Sequence, residues 1–204
     1  MAEIPFLLLA AGASSRMGHS KQLLPWGELT LIEHQVHTLL KTGNPVVVVL
    51  GHQADRIGPV LDNFPLRYFI HEQWENGMGS SIAHGIRYLE KEFPAAAGVL
   101  ITQIDQPLLT ASYFHKILGT FQAGSRQIIV SQSVSGWQGV PVLFDRVYFA
   151  ALQNLSGEGG ARKIFRSHPE AVKFVECEDI LEDMDTPEAY QKLLEKFGPS
   201  PGSG

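Results

Sequence analysis

Two glycines and two cations follow the first apolar segment of the chain and form its clearest candidate for a chemical site. The segment from Leu7 to Pro25 reads LLLAAGASSRMGHSKQLLP and contains Gly12, Arg16, Gly18 and Lys21. Glycine adopts backbone angles that other residues avoid, so successive N–H groups can converge on one anion while the cations neutralise it. The residue types and their spacing therefore predict a loop that binds a polyphosphate.

The spacing of this loop differs from that of two common phosphate-binding loops. A P-loop requires Gly-Lys followed by Ser or Thr, whereas Gly18 is followed by His19 and the lysine comes later. The dinucleotide fingerprint G-x-G-x-x-G is also absent from the sequence. Neither of these two nucleotide sites is therefore expected.

A second candidate is Asp105, which follows an apolar run at 100–104 and precedes Pro107. Because proline interrupts regular structure, Asp105 is expected where a buried strand ends, at the ligand edge of a sheet. A carboxylate there suits Mg²⁺, which combines one or two carboxylates with phosphate oxygens and water. The alternative is an aspartate that only leads into the next helix.

Two further segments place polar residues where helices begin. Thr186 or Asp185 before Pro187 is typical of a helix start, and Asp185 is expected both to cap this helix and to bind the metal. Ser80 and Ser81 stand in the run GMGSS before a periodic helix. Their hydroxyls either cap that helix or contact the ribose or base of a nucleotide.

The composition limits the classes of protein that fit. The chain has 204 residues and a formal net charge of −5, with a pI near 5.9, which argues against non-specific binding to nucleic acid or to a membrane surface. No apolar run approaches the ~20 residues that cross a bilayer. The only cysteine, Cys177, cannot form an internal disulfide, which suits a reducing cytoplasm. We expect one domain at 1–197 and a flexible tail at 198–204.

Apolar segments alternate with segments of helical periodicity, which predicts an α/β fold. Strands are expected at 4–10, 45–50, 66–70 and 97–104, and helices near 30–42, 52–62, 79–91 and 110–121. Strands without polar alternation are buried on both faces, so the sheet is expected to be Rossmann-like, mostly parallel and flanked by helices. The runs at 128–130 and 140–144 predict a mixed or antiparallel C-terminal addition that shapes the pocket of a second substrate.

Several of these segments resemble one enzyme family. The loop is similar to the signature L-x-A-G-x-S-x-R-M-G-x-x-K of nucleotidyltransferases related to the molybdenum-cofactor cytidylyl- and guanylyltransferases. Asp105-Gln106-Pro107 fits the family's D-x-P segment, and 182–190 resembles D-I-D-T-P-E-D-Y. The resemblance covers Leu7 to Tyr190 and implies a fold of the nucleotide-diphospho-sugar transferase type.

This resemblance implies transfer of CMP from CTP to the terminal phosphate of molybdopterin or molybdenum cofactor, with release of pyrophosphate. It implies catalytic roles for Arg16, Lys21 and Asp105, a metal site of Asp105 and Asp185 that holds Mg²⁺ or Mn²⁺, and an acceptor contact by Arg162. A client molybdenum enzyme is an expected partner. The nucleotide site implied for this chain comprises Leu9, Ala10, Ala11, Gly12, Ser14, Ser15, Arg16, Met17, Gly18, Lys21, Ser80 and Ser81.

The chain departs from the family pattern at Val140, where His or Asn is usual, and at Glu158, where Asp is usual. The guanylyl branch reads L-A-G-G where this chain has Ala11 before Gly12, which favours CTP. Two alternatives remain open at this point. One is another nucleotidyltransferase, either guanylyl or a cytidylyltransferase of methylerythritol phosphate, although the D-A-A-R-P segment of the latter is missing. The other is a maturation factor for molybdenum hydroxylases that binds nucleotide or cofactor without turnover.

Overall fold

A seven-stranded sheet forms the centre of the protein. The computed structural model describes residues 2–13, 17, 20–177, 181 and 184–198. The strands of this part of the chain are β1 (Phe6–Ala10), β2 (Pro25–Trp26), β3 (Leu29–Thr30), β4 (Val46–Leu50), β5 (Arg67–Ile70), β6 (Gly98–Gln103), β7 (Ile128–Ser133), β8 (Gln138–Asp145) and β9 (Val172–Cys177). The strands β2 and β3 pair with each other, and the other seven form the central sheet.

The strand order of the central sheet is β5-β4-β1-β6-β8-β7-β9. The first four strands in this order are parallel, whereas β8 is antiparallel to both of its neighbours, and β9 runs parallel to β7. The predicted fold class is therefore confirmed, including the mixed C-terminal addition. Within the central sheet of the described residues, β8 alone runs in the opposite direction, and it follows the Gly/Ser-rich segment after β7.

Helices cover both faces of the sheet. They are α1 (Leu31–Leu40), α2 (Ala54–Leu61), α3 (Met78–Glu92), α4 (Ala111–Thr120), α5 (Phe149–Gln153), α6 (Arg162–Ser167) and α7 (Pro187–Phe197). Side chains of a strand alternate between faces, so Phe6 and Leu8 join a core with α1, α2, α4 and α7, while Leu7 and Leu9 join a core with α3, α5 and α6. These two apolar layers fix the strands that carry the candidate site.

Two helix starts illustrate how local sequence sets these elements. The side chain of Thr30 accepts a hydrogen bond from the Glu33 backbone, and the Glu33 carboxylate accepts one from the Thr30 N–H at 2.7 Å, a capping box that begins α1. The hydroxyl of Thr186 accepts from Ala189 N at 3.2 Å, and Pro187 is the first residue of α7. The predicted start of this helix is thus confirmed, but its N-cap is Thr186 and not Asp185, which corrects the capping role expected of Asp185.

The last described helix, α7, ends at Phe197, and 199–204 of the expected tail lie outside the described residues. Within the part of the chain that the structure describes, no helix has both the length and the apolar character needed to span a membrane.

The segments that follow β1 and β6 lie next to each other at the carboxyl ends of the parallel strands. The strands β1 and β6 are parallel neighbours, and Leu9 pairs with Gln103 near their carboxyl ends. Ligands of open α/β sheets bind at this edge. The segment after Ala10 and the segment containing Asp105 therefore leave the sheet side by side.

Candidate active site

A cavity of about 410 Å³ opens at the carboxyl ends of β1 and β6. It is lined by Leu9, Ala11, Gly12, Ala13, Lys21, Gln22, Trp74, Glu75, Gly77, Met78, Ser81, Gln103, Ile104, Asp105, Glu158 and Asp185. Of the residues predicted for nucleotide and metal, this set includes Leu9, Ala11, Gly12, Lys21, Ser81, Asp105 and Asp185. The fold thus gathers residues from five separate parts of the sequence around one space.

The ammonium group of Lys21 lies between two carboxylates at this cavity. Its Nζ is 2.8 Å from Oδ1 of Asp185 and 3.3 Å from Oδ2 of Asp105. The side chains of Lys21 and Asp105 are largely buried, with 8% and 16% of their surfaces exposed, whereas that of Asp185 is about half exposed. Two acidic side chains therefore share one cation where the cavity meets the sheet.

Burial and charge act in opposite directions on these groups. Burial alone would lower the pKa of Lys21, but the carboxylates of Asp105 and Asp185 outweigh it, so the pKa of Lys21 is raised and the ammonium stays charged. Burial raises the pKa of Asp105, and the neighbouring charge of Asp185 adds to this effect while Lys21 opposes it. The Asp105 carboxylate consequently gains from any cation placed beside it.

The donor set fits a divalent cation. Oδ1 of Asp105 is buried and has no hydrogen-bond partner in the structure, and a buried anionic oxygen of this kind is costly unless a cation or donor satisfies it. Asp105 and Asp185 supply the one or two carboxylates that Mg²⁺ usually takes from protein. Among the described residues, no group of three or more His, Cys, Asp or Glu side chains forms a metal cluster.

Gln22 binds the backbone on either side of Ala11, a contact that the sequence did not predict. Its side chain is buried, and Nε2 donates to the carbonyl oxygens of Ala10 at 2.7 Å and Gly12 at 3.1 Å. Its Oε1 accepts a hydrogen bond from Ser20 Oγ at 2.7 Å. This amide therefore ties the end of β1 to the short 3₁₀ helix that carries Lys21.

The remaining predicted loop residues lie in different places. Ala10 and Met17 are buried and do not line the cavity. Gly12 faces the cavity with open space beside its Cα, and it does not have the positive φ that the sequence argument invoked. The predicted residues Ser14, Ser15, Arg16 and Gly18 lie outside the described residues.

The first turn of α3 forms another wall of the cavity. Gly77 precedes this helix with a φ of 90°, and a Cβ there would approach the Gly157 backbone to 2.7 Å, so both conformation and space require glycine. Ser81 lines the cavity, as predicted. The hydroxyl of Ser80 instead lies 2.8 Å from Nε2 of buried His71 and is not part of the cavity lining.

A second cavity of about 290 Å³ adjoins the first. It is lined by Leu9, Met78, Ile82, Gln103, Trp137, Gly139, Val140, Val142, Glu158, Gly159, Gly160, Ala161, Arg162 and Phe165. The predicted acceptor residue Arg162 thus lies here, beside the family departures Val140 and Glu158. The strands β6 and β8 and the segment before α6 together form this second space.

Arg162 is held in place at the second cavity. Its Nη2 donates to the Gln138 carbonyl at 2.7 Å, and its guanidinium lies 5.6 Å from the centroid of the Trp137 ring. The Trp137 ring covers Gly139 so closely that a Cβ there would lie 2.3 Å from it. Glycine at 139 therefore allows the indole to form one wall of the cavity.

Comparison with known proteins identifies the family. Residues 6–172 match the MobA-like NTP transferase domain, so the chain belongs to this family of nucleotidyltransferases. The resemblance and the enzyme class inferred from the sequence are thereby confirmed.

The chain and several of its relatives align over most of their lengths. The chain is 32% identical to the nicotine blue oxidoreductase of Paenarthrobacter nicotinovorans, covering 92% of this chain and 95% of that protein. It is 24% identical to the molybdenum cofactor cytidylyltransferase of Escherichia coli, covering 97% and 98%. The crystal structure of Rv0371c from Mycobacterium tuberculosis superimposes with a TM-score of 0.84 at 26% identity, covering 95% of this chain and 98% of that one. Another structure of Rv0371c is a complex with manganese.

Proposed function

We propose that this nucleotidyltransferase transfers CMP from CTP to the terminal phosphate of molybdopterin or molybdenum cofactor. The observation that carries the proposal is the convergence of Lys21, Asp105 and Asp185 on one cavity that continues into a second one. A nucleotide triphosphate and an acceptor need two such adjoining spaces. The E. coli relative named as a molybdenum cofactor cytidylyltransferase supports the choice of substrates.

The proposed reaction is an in-line displacement at the α-phosphorus. An oxygen of the acceptor phosphate forms a bond to this phosphorus, and the bond from it to the bridging oxygen of the β-phosphate breaks. Pyrophosphate leaves with the electron pair, and nothing is oxidised or reduced. Because the attacking phosphate is already ionised at neutral pH, alignment and charge stabilisation contribute most of the catalysis and no general base is needed.

The three charged residues have different electrostatic roles in this proposal: Asp105 and Asp185 bind the metal, and Lys21 contacts the triphosphate. Asp105 and Asp185 would hold Mg²⁺, with Mn²⁺ as an alternative, and the bound ion would neutralise charge on the phosphates. Once the carboxylates hold that ion, the Lys21 ammonium can contact the triphosphate, where its attraction grows as charge develops on the leaving pyrophosphate. Gly12 leaves room for the backbone to approach the phosphates.

The direct test is release of pyrophosphate from CTP in the presence of Mg²⁺ and molybdopterin. We expect the wild type to be active and Asp105→Asn to lose more than about 100-fold in kcat, as is typical when one electrostatic contact of the transition state is removed. Asp55→Asn, at an exposed position of α2, is the matched control and should keep wild-type activity. Near-normal activity of Asp105→Asn at limiting Mg²⁺ would refute the metal assignment.

Nucleotide choice is tested without knowledge of the acceptor. Preferential binding raises the melting temperature, so ATP, CTP, GTP and UTP are compared with Mg²⁺ in thermal unfolding. We expect the largest stabilisation from CTP. Stabilisation by CTP without any pyrophosphate release would favour the non-catalytic maturation factor instead.

A second candidate function is oxidation and reduction, and one observation favours it. The relative with 32% identity is named as an oxidoreductase. The test is oxidation of NADH or NADPH by the purified protein with nicotine blue as acceptor. Turnover there together with no pyrophosphate release from any nucleoside triphosphate would replace the transferase proposal.

A further inference from the structure

The two cavities meet at four of the described residues. Leu9, Met78, Gln103 and Glu158 line both spaces. If the first cavity holds the nucleotide and the second holds the acceptor, the phosphorus that is attacked must lie at this junction. Side chains that touch it there are in a position to affect the chemical step.

Gln103 is the only one of these four side chains that carries an N–H donor. Leu9 is apolar, Met78 carries a thioether, and the carboxylate of Glu158 repels phosphate oxygens. Gln103 is the last residue of β6, next to Leu9 in β1 and two residues before Asp105. Its position is therefore fixed by the sheet rather than by a loop.

The present partner of the Gln103 amide is a weak acceptor. Nε2 lies 3.1 Å from Sδ of Met78, and a thioether accepts hydrogen bonds poorly. The same sulfur also lies close to Gly160, where a Cβ would approach it to 2.9 Å. A phosphoryl oxygen that enters the junction would offer the amide a stronger, charge-assisted bond.

We propose that Gln103 is a catalytic residue whose amide donates a hydrogen bond to a non-bridging oxygen of the α-phosphate during transfer. Met78 keeps the amide at the junction until substrate replaces the sulfur. This proposal rests on the proposed nucleotidyl transfer, in which the acceptor oxygen bonds to the α-phosphorus and pyrophosphate departs. The hydrogen bond becomes stronger as charge gathers on the α-phosphoryl oxygens, so it acts on kcat more than on binding.

The test compares Gln103→Met, which keeps the length of the side chain but removes the donor, with Gln122→Met. Gln122 is exposed and serves as the control. It lies near the start of β6, at the opposite end from Gln103: the N–H of nearby Gly124 donates to Asp145, which pairs with Gly98. With CTP, Mg²⁺ and molybdopterin, we expect kcat of Gln103→Met to fall about 100-fold. The dissociation constant of α,β-methylene-CTP should change less than about threefold, and Gln103→Asn should recover part of the rate.

Phosphorothioate nucleotides separate a direct contact from a structural role. In the wild type, the two diastereomers of CTPαS should react at different rates. Part of this rate difference should depend on Gln103, and that part should persist when Mn²⁺ replaces Mg²⁺. Gln103→Met should lose that part. If Gln103→Met matches Gln122→Met in kcat and in diastereomer preference, the role of Gln103 is wrong while the proposed function stands. If the wild type releases no pyrophosphate, both proposals are wrong.

Discussion

The ammonium of Lys21 lies 2.8 Å from the carboxylate of Asp185, although 164 residues separate them in sequence. The same ammonium lies 3.3 Å from Asp105. One side chain thus connects the segment after β1, the end of β6 and the residue before the N-cap of α7. Because a cation already balances these carboxylates, the proposed binding of a metal by Asp105 and Asp185 would be coupled to the position of Lys21.

Removing this ammonium should affect the chemical step more than the binding of nucleotide. We predict that Lys21→Ala lowers kcat about 100-fold and changes the dissociation constant of CTP less than about fivefold, because its attraction to the triphosphate grows in the transition state. Steady-state kinetics and titration calorimetry measure the two quantities. Lys91→Ala, at an exposed position near the end of α3, is the control. A raised KM with unchanged kcat would show that Lys21 binds only the ground state.

Gln22 should position the phosphate loop. Gln22→Met removes the donor shared by the Ala10 and Gly12 carbonyls, so we predict a loss of about 2 kcal/mol in the free energy of unfolding and a KM for CTP raised about tenfold. Gln127→Met is matched to it, since Gln127 is also buried and its Oε1 accepts from Gln122 N. That control should lose stability without a change in KM. Equal KM values for both variants would leave Gln22 with a structural role alone.

Buried His71 should make the stability of the protein depend on pH. Burial lowers its pKa, and His84, stacked on it with ring centroids 4.1 Å apart, lowers it further. The unfolded chain then takes up a proton near pH 6.5 while the folded one does not, so the free energy of unfolding decreases as the pH falls below about 6.5 towards the folded pKa.

Urea unfolding between about pH 7.5 and 5.5 measures this dependence. His71→Gln should flatten it relative to wild type, and His115→Gln, at an exposed position of α4, should not. Part of the slope should remain in both variants, since burial also lowers the pKa of His34. A slope in His71→Gln that equals the wild-type slope would contradict the prediction.

The chemistry-bearing residues of the sheet could be predicted because strand ends follow simple rules. An apolar run that ends in Asp105, and another that ends in the Gly12 loop, must emerge at the same edge if both strands are parallel. The structure places them there. The same reasoning could not predict the role of Gln22, because its hydrogen bonds to Ala10 and Gly12 depend on the tertiary structure of the segment after β1. A glutamine in the run KQLL matches no motif that would indicate these bonds.

Two other features could not be predicted from the sequence, because each depends on a partner in a separate segment. Ser80 follows Gly79 at a helix start, a position typical of residues that contact a ligand. Its hydroxyl lies beside His71, which belongs to a separate segment, and the local sequence gives no sign of this partner. The edge strand β9 was missed since Lys173 and Glu176 interrupt its apolar residues, and β7 supplies the pairing that makes it a strand. Tertiary pairing overrides local pattern in such segments.

Ala11 should favour CTP over GTP. Its side chain lines the first cavity with 5% of its surface exposed, and its carbonyl accepts a hydrogen bond from His52 N at 3.0 Å, which fixes the methyl in place. One methyl contributes about 1–3 kcal/mol of discrimination, so we predict a ten- to 200-fold preference from it and expect other contacts to supply the rest. Ala11→Gly should weaken the preference without inverting it. Ala10→Gly removes a methyl from the opposite face of β1 and should leave the ratio unchanged. The measurement is kcat/KM for each nucleotide, and equal use of CTP and GTP by the wild type would show that Ala11 does not select the base.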